Sequence, residues 1–163
     1  MVTPLVAGAF ALAGVVLGVL LEPIRARVAA RTRTREDRML RCSQLVEAAN
    51  AARAAILWLF RTSRIHPPPI SVTTAAIADA EQQYWQARND LKKSVLLLRL
   101  IGPNELIDKS IAVSDSDLDL RRLWFDCDAS ERQAYSAQLS QRLEANLRSI
   151  VEFTELARGL AHR

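Results

Sequence analysis

The chain has 163 residues, of which 50% are hydrophobic and 25% are charged. That balance excludes an intrinsically disordered chain and fits one domain of ordinary size with an additional element. Only five Gly and six Pro are present, and the most frequent residue types are helix formers. The two cysteines, Cys42 and Cys127, are too few and too far apart for a disulfide framework. The composition therefore predicts an all-α fold.

The formal net charge of +4 comes from one short stretch of the chain. Residues 1–21 carry no charged side chain, and residues 22–41 contain seven Arg against three acidic residues. The rest of the chain, residues 42–163, has 15 basic and 15 acidic residues. A nucleic-acid-binding domain more often spreads its basic residues over a folded face, so nucleic acid is not the partner that this pattern favours.

Residues 4–21 form an uncharged apolar run, PLVAGAFALAGVVLGVLL. A helix of this length covers roughly 27 Å, close to the hydrocarbon thickness of a bilayer at ~30 Å. A cleaved signal peptide is the main alternative, but residues 1–3 carry no basic side chain and a suitable cleavage site does not follow. The sequence therefore predicts a single transmembrane helix over residues 4–21.

Arginines lie only on the C-terminal flank of this run, and basic residues next to a span stay on the cytoplasmic side. We expect a protein of the cell membrane with residues 1–3 outside, residues 22–35 as a basic juxtamembrane segment and residues 36–163 as a cytoplasmic domain. Five arginines of that segment are placed to contact anionic lipid headgroups. They are Arg25, Arg27, Arg31, Arg33 and Arg35.

Small residues recur at spacings of four, three and four along the apolar run. Such a stripe lets two helices approach closely in lipid, where packing drives association. The pattern predicts a homodimer through the transmembrane helix. The packing face consists of Ala7, Ala11, Gly14 and Gly18.

The cytoplasmic part has the three-to-four-residue apolar period of amphipathic helices. We expect long helices over residues 36–63, 73–101 and 130–160. A shorter helix capped by Asn104 is expected to be interrupted at residues 114–117 and to continue to Phe125. Gly102 and Pro103 are typical of a helix end. The predicted fold is an antiparallel bundle of three long helices and one short or broken helix.

Candidate catalytic and metal-binding residues are few. His66 and His162 have no His, Cys or carboxylate neighbours at metal-ligand spacing. The alternation Asp115, Asp117 and Asp119 resembles the start of a calcium-binding EF-hand loop, although Leu120 occupies the position that requires Gly. Acidic residues at a helix start, stabilised by the helix dipole, are the favoured explanation of the run. The sequence predicts no catalytic, cofactor or metal site, and it does not indicate an enzyme.

The tryptophans Trp58, Trp85 and Trp124 lie in three of the four predicted helical segments. We expect them in the core of the bundle rather than at a ligand site.

Two functions compete. The first is a membrane-anchored helical interaction or scaffold protein that binds a protein partner not identified by the sequence. The second is a soluble or peripheral basic helical protein that binds anionic lipid or nucleic acid through the segment Arg25–Arg41. Because the basic excess directly follows the apolar run, the first function is favoured.

Overall fold

The computed structural model describes residues 3–63, 74–127 and 136–161, and it describes side chains for residues 30, 32–62, 74–127 and 138–161. These residues form four helices: α1 (Thr3–Ser63), α2 (Thr74–Ile101), α3 (Asn104–Phe125) and α4 (Ser136–Ala161). The predicted all-α class is confirmed. The chain divides into unit 1, Met1–Asp37, and unit 2, Arg38–Arg163, and α1 contributes to both.

The membrane-related predictions fall mostly outside the described side chains. Among the described residues, no helix has the length and apolar character needed to cross a bilayer. The described side chains do not include the predicted span, residues 4–21, or its packing face of Ala7, Ala11, Gly14 and Gly18. They also do not include three of the juxtamembrane arginines, Arg25, Arg27 and Arg31. Arg33 and Arg35 are described, and both are exposed.

Unit 2 is a helical bundle whose core consists of two clusters of buried apolar side chains. All four helices contribute to each cluster. The first core cluster contains Cys42, Leu45, Ala48 and Ala49 of α1, Leu91, Val95 and Leu98 of α2, Leu106 and Val113 of α3, and Ile150, Phe153 and Ala157 of α4. The second contains Ala52, Ile56, Leu59 and Phe60 of α1, Ala80, Tyr84 and Ala87 of α2, Leu120, Leu123 and Trp124 of α3, and Leu139 of α4.

The order of these residues shows that successive helices run antiparallel. In both clusters residue numbers rise along α1 as they fall along α2. Glu81 of α2 accepts a hydrogen bond of 2.9 Å from the Trp124 indole of α3. Between α3 and α4, Arg142 lies 2.8 Å from Asp119, and Lys109 lies 2.6 Å from Glu152. An up-down bundle of this kind allows short connections between neighbours.

Helix α3 differs from the sequence-based expectation. It is continuous from Asn104 to Phe125, so the predicted interruption at residues 114–117 is wrong. The Ser116 hydroxyl donates to the carbonyl of Val113 at 2.8 Å, and Asp117 is buried. Both side chains also have partners on neighbouring helices, Asn146 for Ser116 and Arg88 for Asp117. The helix therefore continues through two residue types that often break helices by bonding to nearby backbone groups.

The connection between α2 and α3 is short. The Gly102 amide donates to the carbonyl of Leu98 at 2.7 Å, which closes the last turn of α2 as predicted. Pro103, with φ −69° and ψ 153°, occupies the cap position of α3 and provides no side-chain cap. The prediction that Asn104 caps α3 is therefore wrong, because Asn104 is already the first helical residue.

Candidate interaction groove

A groove of about 1030 Å³ runs between α1 and α2 on the surface of unit 2. Alanines form most of its apolar floor, and a side chain of one carbon leaves the space between two helices unfilled. The groove-lining alanines are Ala48, Ala51, Ala54 and Ala55 of α1 and Ala76, Ala80 and Ala87 of α2. The alanines of α1 recur at helical spacing and form a continuous stripe, whereas on α2 Gln83 separates Ala80 from Ala87.

The rim of the groove is polar. It carries the amides of Gln44, Gln83 and Gln86, which can both donate and accept hydrogen bonds. It also carries three carboxylates and two cations, namely Glu47, Asp79, Asp90, Arg41 and Lys93. An apolar floor inside a polar, solvent-accessible rim is the general anatomy of a protein-binding surface.

Trp58 lies at the Ser63 end of the α1 side of the groove and is exposed. It belongs to the α1 stripe of Ala51 and Ala54 rather than to the core stripe of Ile56 and Leu59. Exposed tryptophan combines a large apolar surface with a hydrogen-bond donor, and it is enriched among residues that carry binding energy.

A buried polar network lies between α2 and α3, and one of its members, Arg88, directly follows the groove residue Ala87 in sequence. The guanidinium of Arg88 pairs with the carboxylate of Asp117, and both side chains are almost fully buried. The Tyr84 hydroxyl lies 3.3 Å from each carboxylate oxygen of Asp117 and 3.4 Å from the Arg88 guanidinium. The network ties α2 to α3 at one register.

The electrostatics of this network follow from its burial. Burial raises the pKa of the Asp117 carboxyl above its ordinary value, and the charge of Arg88 opposes that shift. Burial also raises the pKa of the Tyr84 hydroxyl, with the Asp117 carboxylate acting in the same direction. The phenol is therefore a hydrogen-bond donor and not an acid at neutral pH.

A second polar contact ties α3 to α4. The Asn146 side-chain amide donates to the Ser116 hydroxyl at 3.0 Å, and Asn146 is buried within the apolar stripe of α4. Polar pairs of this kind, inside a core that is otherwise apolar, favour one alignment of neighbouring helices over others.

The acidic alternation of α3 does not form an ion-binding loop. Residues two apart on a helix are separated by about 200° of rotation, so Asp115 is exposed while Asp117 points into the core. Asp119 pairs with Arg122 and Arg142. The resemblance to an EF-hand loop is thus contradicted by the helix. No group of three or more His, Cys, Asp or Glu that could hold a metal occurs among the described residues.

The expectation for the tryptophans is confirmed for one and wrong for two. Trp124 is buried and packs edge-on against Phe60 at a ring-centroid distance of 5.2 Å. Trp58 and Trp85 are exposed. Trp85 contacts the ring of Phe125 at 4.9 Å between centroids, so it covers the edge of the second core cluster and does not enter it.

Sequence reasoning missed the groove and the buried ion pair, and only the ion pair has a signal in the sequence. Arg88 falls between Tyr84 and Leu91 in the apolar stripe of α2. Asp117 falls between Val113 and Leu120 in the stripe of α3. One cation and one carboxylate at core positions of neighbouring helices indicate a buried pair.

The structure defines the class of this chain, an all-α helical bundle, and comparisons with known proteins add nothing to it. No protein-family model, no curated protein and no solved structure matches it.

Proposed function

We propose that this chain is a single-pass membrane protein whose cytoplasmic helical bundle binds a helix of a partner protein in the groove between α1 and α2. The groove is the observation that carries the binding part of the proposal. The anchoring part is supported by the uncharged run at residues 4–21 and by the arginines that follow it. The proposed role is binding and scaffolding, with no reaction assigned to the chain.

A helix is the occupant that the groove fits best. Its α1 side extends from Arg41 to Trp58, which corresponds to about 26 Å of helix axis. The small residues of α1 and α2 that line the groove let a third backbone lie close between the two helices, as in recognition of a helix by a groove. The partner helix should carry small or apolar residues toward the floor and polar residues toward the rim.

The anchor defines where the contact takes place. With the N-terminus outside and residues 36–163 in the cytoplasm, the bundle would meet its partner at the inner face of the cell membrane. A dimer through Ala7, Ala11, Gly14 and Gly18 would bring two grooves together and raise the effective concentration of a bivalent partner.

Filling the groove tests the proposal. Ala51 is exposed on the α1 side of the groove, so Ala51→Trp should occupy its space without entering the core. Ala112 is exposed on α3 and is not a groove residue, which makes Ala112→Trp a matched control. Full-length wild type and both variants are used for affinity capture from detergent-solubilised membranes, followed by mass spectrometry.

We expect one or more proteins to be captured by wild type and by Ala112→Trp and lost with Ala51→Trp. A photo-crosslinking residue at position 54 should then attach to a helical segment of the same protein. An identical set of captured proteins for all three chains would contradict the proposed role of the groove.

A further inference from the structure

The C-terminal half of α2 has leucines on its outer face as well as in the core. Leu91, Val95 and Leu98 are buried in the first core cluster. Leu96 is 59% exposed and Leu100 is 80% exposed. Because they are four residues apart, these two leucines lie one above the other on the same side of the helix. They form an exposed apolar pair, whereas other exposed positions nearby are polar.

Basic side chains surround this pair. Lys92, Lys93 and Arg99 are exposed and lie three or four residues from Leu96. No acidic residue occurs from Leu91 to Ile101. Lys93 also borders the groove, so the basic surface continues from the groove rim to the end of α2.

The dipole of α2 does not account for these cations. Basic residues are favoured at a helix C-terminus, but the effect falls off within the last turn. That covers Arg99, whereas Lys92 and Lys93 lie two turns before the end at Ile101. The three cations are therefore arranged around the leucine pair and not only around the helix end.

We propose that this surface, Lys92, Lys93, Leu96, Arg99 and Leu100, rests on the surface of an anionic lipid bilayer. Leucines can enter the boundary between headgroups and acyl chains while Lys and Arg pair with lipid phosphates. Nucleic acid would use the cations but would gain little from two exposed leucines. The combination of two exposed leucines with three exposed cations is what selects the lipid.

The position of this surface within unit 2 agrees with that partner. Cys42 and Leu45, where α1 enters unit 2, share the first core cluster with Val95 and Leu98. The leucine pair thus lies at the end of unit 2 that is nearest along the chain to residues 4–21. This agreement in position rests on the proposed membrane anchor. The charge and the exposure of the surface are observed independently of the anchor.

The test places a fluorescent probe at the surface in the full-length chain. An NBD group is attached at Leu100→Cys in a chain that also carries Cys127→Ser. The remaining native cysteine, Cys42, should not react with the probe, because it is buried and burial raises its thiol pKa to about 11. The control carries the probe at Leu147→Cys, because Leu147 is an exposed leucine of α4. Both chains are reconstituted in nanodiscs of phosphatidylcholine alone or with phosphatidylglycerol, each with doxyl-labelled lipid as quencher.

We expect the probe at position 100 to shift to shorter wavelength and to be quenched in anionic discs. The probe at position 147 should remain unshifted and unquenched. Lys92→Glu with Arg99→Glu should abolish the shift and the quenching, with unchanged helical circular dichroism. Discs of phosphatidylcholine alone should give a reduced response at position 100.

Two results would overturn the lipid surface. One is an unquenched probe at position 100 while the chain stays in the discs. The other is a blue shift without doxyl quenching, which a second copy or another protein contact would give. A different result would refute the anchor alone. If high salt releases the chain from the discs, and the probe at position 100 is quenched before release, the anchor is refuted and the lipid surface is supported.

Discussion

At the scale of single residues, the Arg88–Asp117 pair has the largest expected influence on the bundle. Two charges in a low-dielectric core are costly to desolvate, and their mutual attraction offsets that cost only while both are present. Tyr84 adds a hydrogen bond to the carboxylate. Removing one partner leaves a buried, uncompensated charge, whereas removing both leaves no charge but deprives the buried Tyr84 hydroxyl of its hydrogen-bond partners.

Asp117→Asn should lower the free energy of unfolding by about 3–5 kcal/mol, because the Arg88 guanidinium then remains buried without a counter-charge. Asp115→Asn is the control: the residue is exposed on the same helix, and its loss should change stability by less than about 0.5 kcal/mol. Urea unfolding of the full chain in mild detergent, followed by circular dichroism, measures both. Equal effects of the two substitutions would show that the pair is not buried as described. The triple substitution Tyr84→Phe, Arg88→Met and Asp117→Leu should recover most of the loss, because it also removes the hydroxyl that would otherwise be buried without a partner.

At the scale of helices, the two glycines outside the apolar run have opposite roles. A Cβ at Gly102 would lie 2.7 Å from the carbonyl oxygen of Leu98, so the end of α2 depends on a residue without a side chain. A Cβ at Gly159 would meet nothing within 4 Å. Gly159 also lies inside α4, where glycine is less favourable than alanine.

Gly102→Ala should therefore destabilise the bundle by about 1–3 kcal/mol, because the backbone between α2 and α3 must shift. Gly159→Ala should stabilise it by roughly 0.5–1 kcal/mol through helix propensity. Thermal unfolding of the two variants beside wild type gives both signs in one experiment. Changes of the same sign would refute the role of Gly102 in the turn.

Helix existence and core faces could be predicted because they depend on local periodicity. The stripe of α1 through Cys42, Ala49 and Ile56 is buried as expected. The predicted interruption of α3 is wrong because Ser116 and Asp117 have helix-breaking preferences in isolation but find partners on neighbouring helices of the bundle. The groove could not be predicted, since it depends on which alanine stripes of α1 and α2 come to face the same space.

At the scale of the whole molecule, membrane anchorage and binding depend on different parts of the chain. The sequence concentrates its entire excess charge in residues 22–41, directly after an uncharged run. Unit 2 contains the core, the groove and the leucine pair of α2. The two proposed functions, an anchored binding protein and a peripheral basic protein, require the same unit 2. They differ in which residues hold the chain to the bilayer.

Membrane extraction of the full-length chain measures that difference most directly. We expect the chain to remain in the pellet after high salt and alkaline carbonate and to be released only by detergent. Leu12→Arg with Val16→Arg should release it into the carbonate supernatant, because each arginine costs about 2.5–3.5 kcal/mol at the centre of a span. Ala112→Arg with Ala145→Arg, at exposed positions of α3 and α4, should stay in the pellet like wild type. Wild-type chain in the supernatant after salt or carbonate would contradict the anchor and favour the peripheral basic protein.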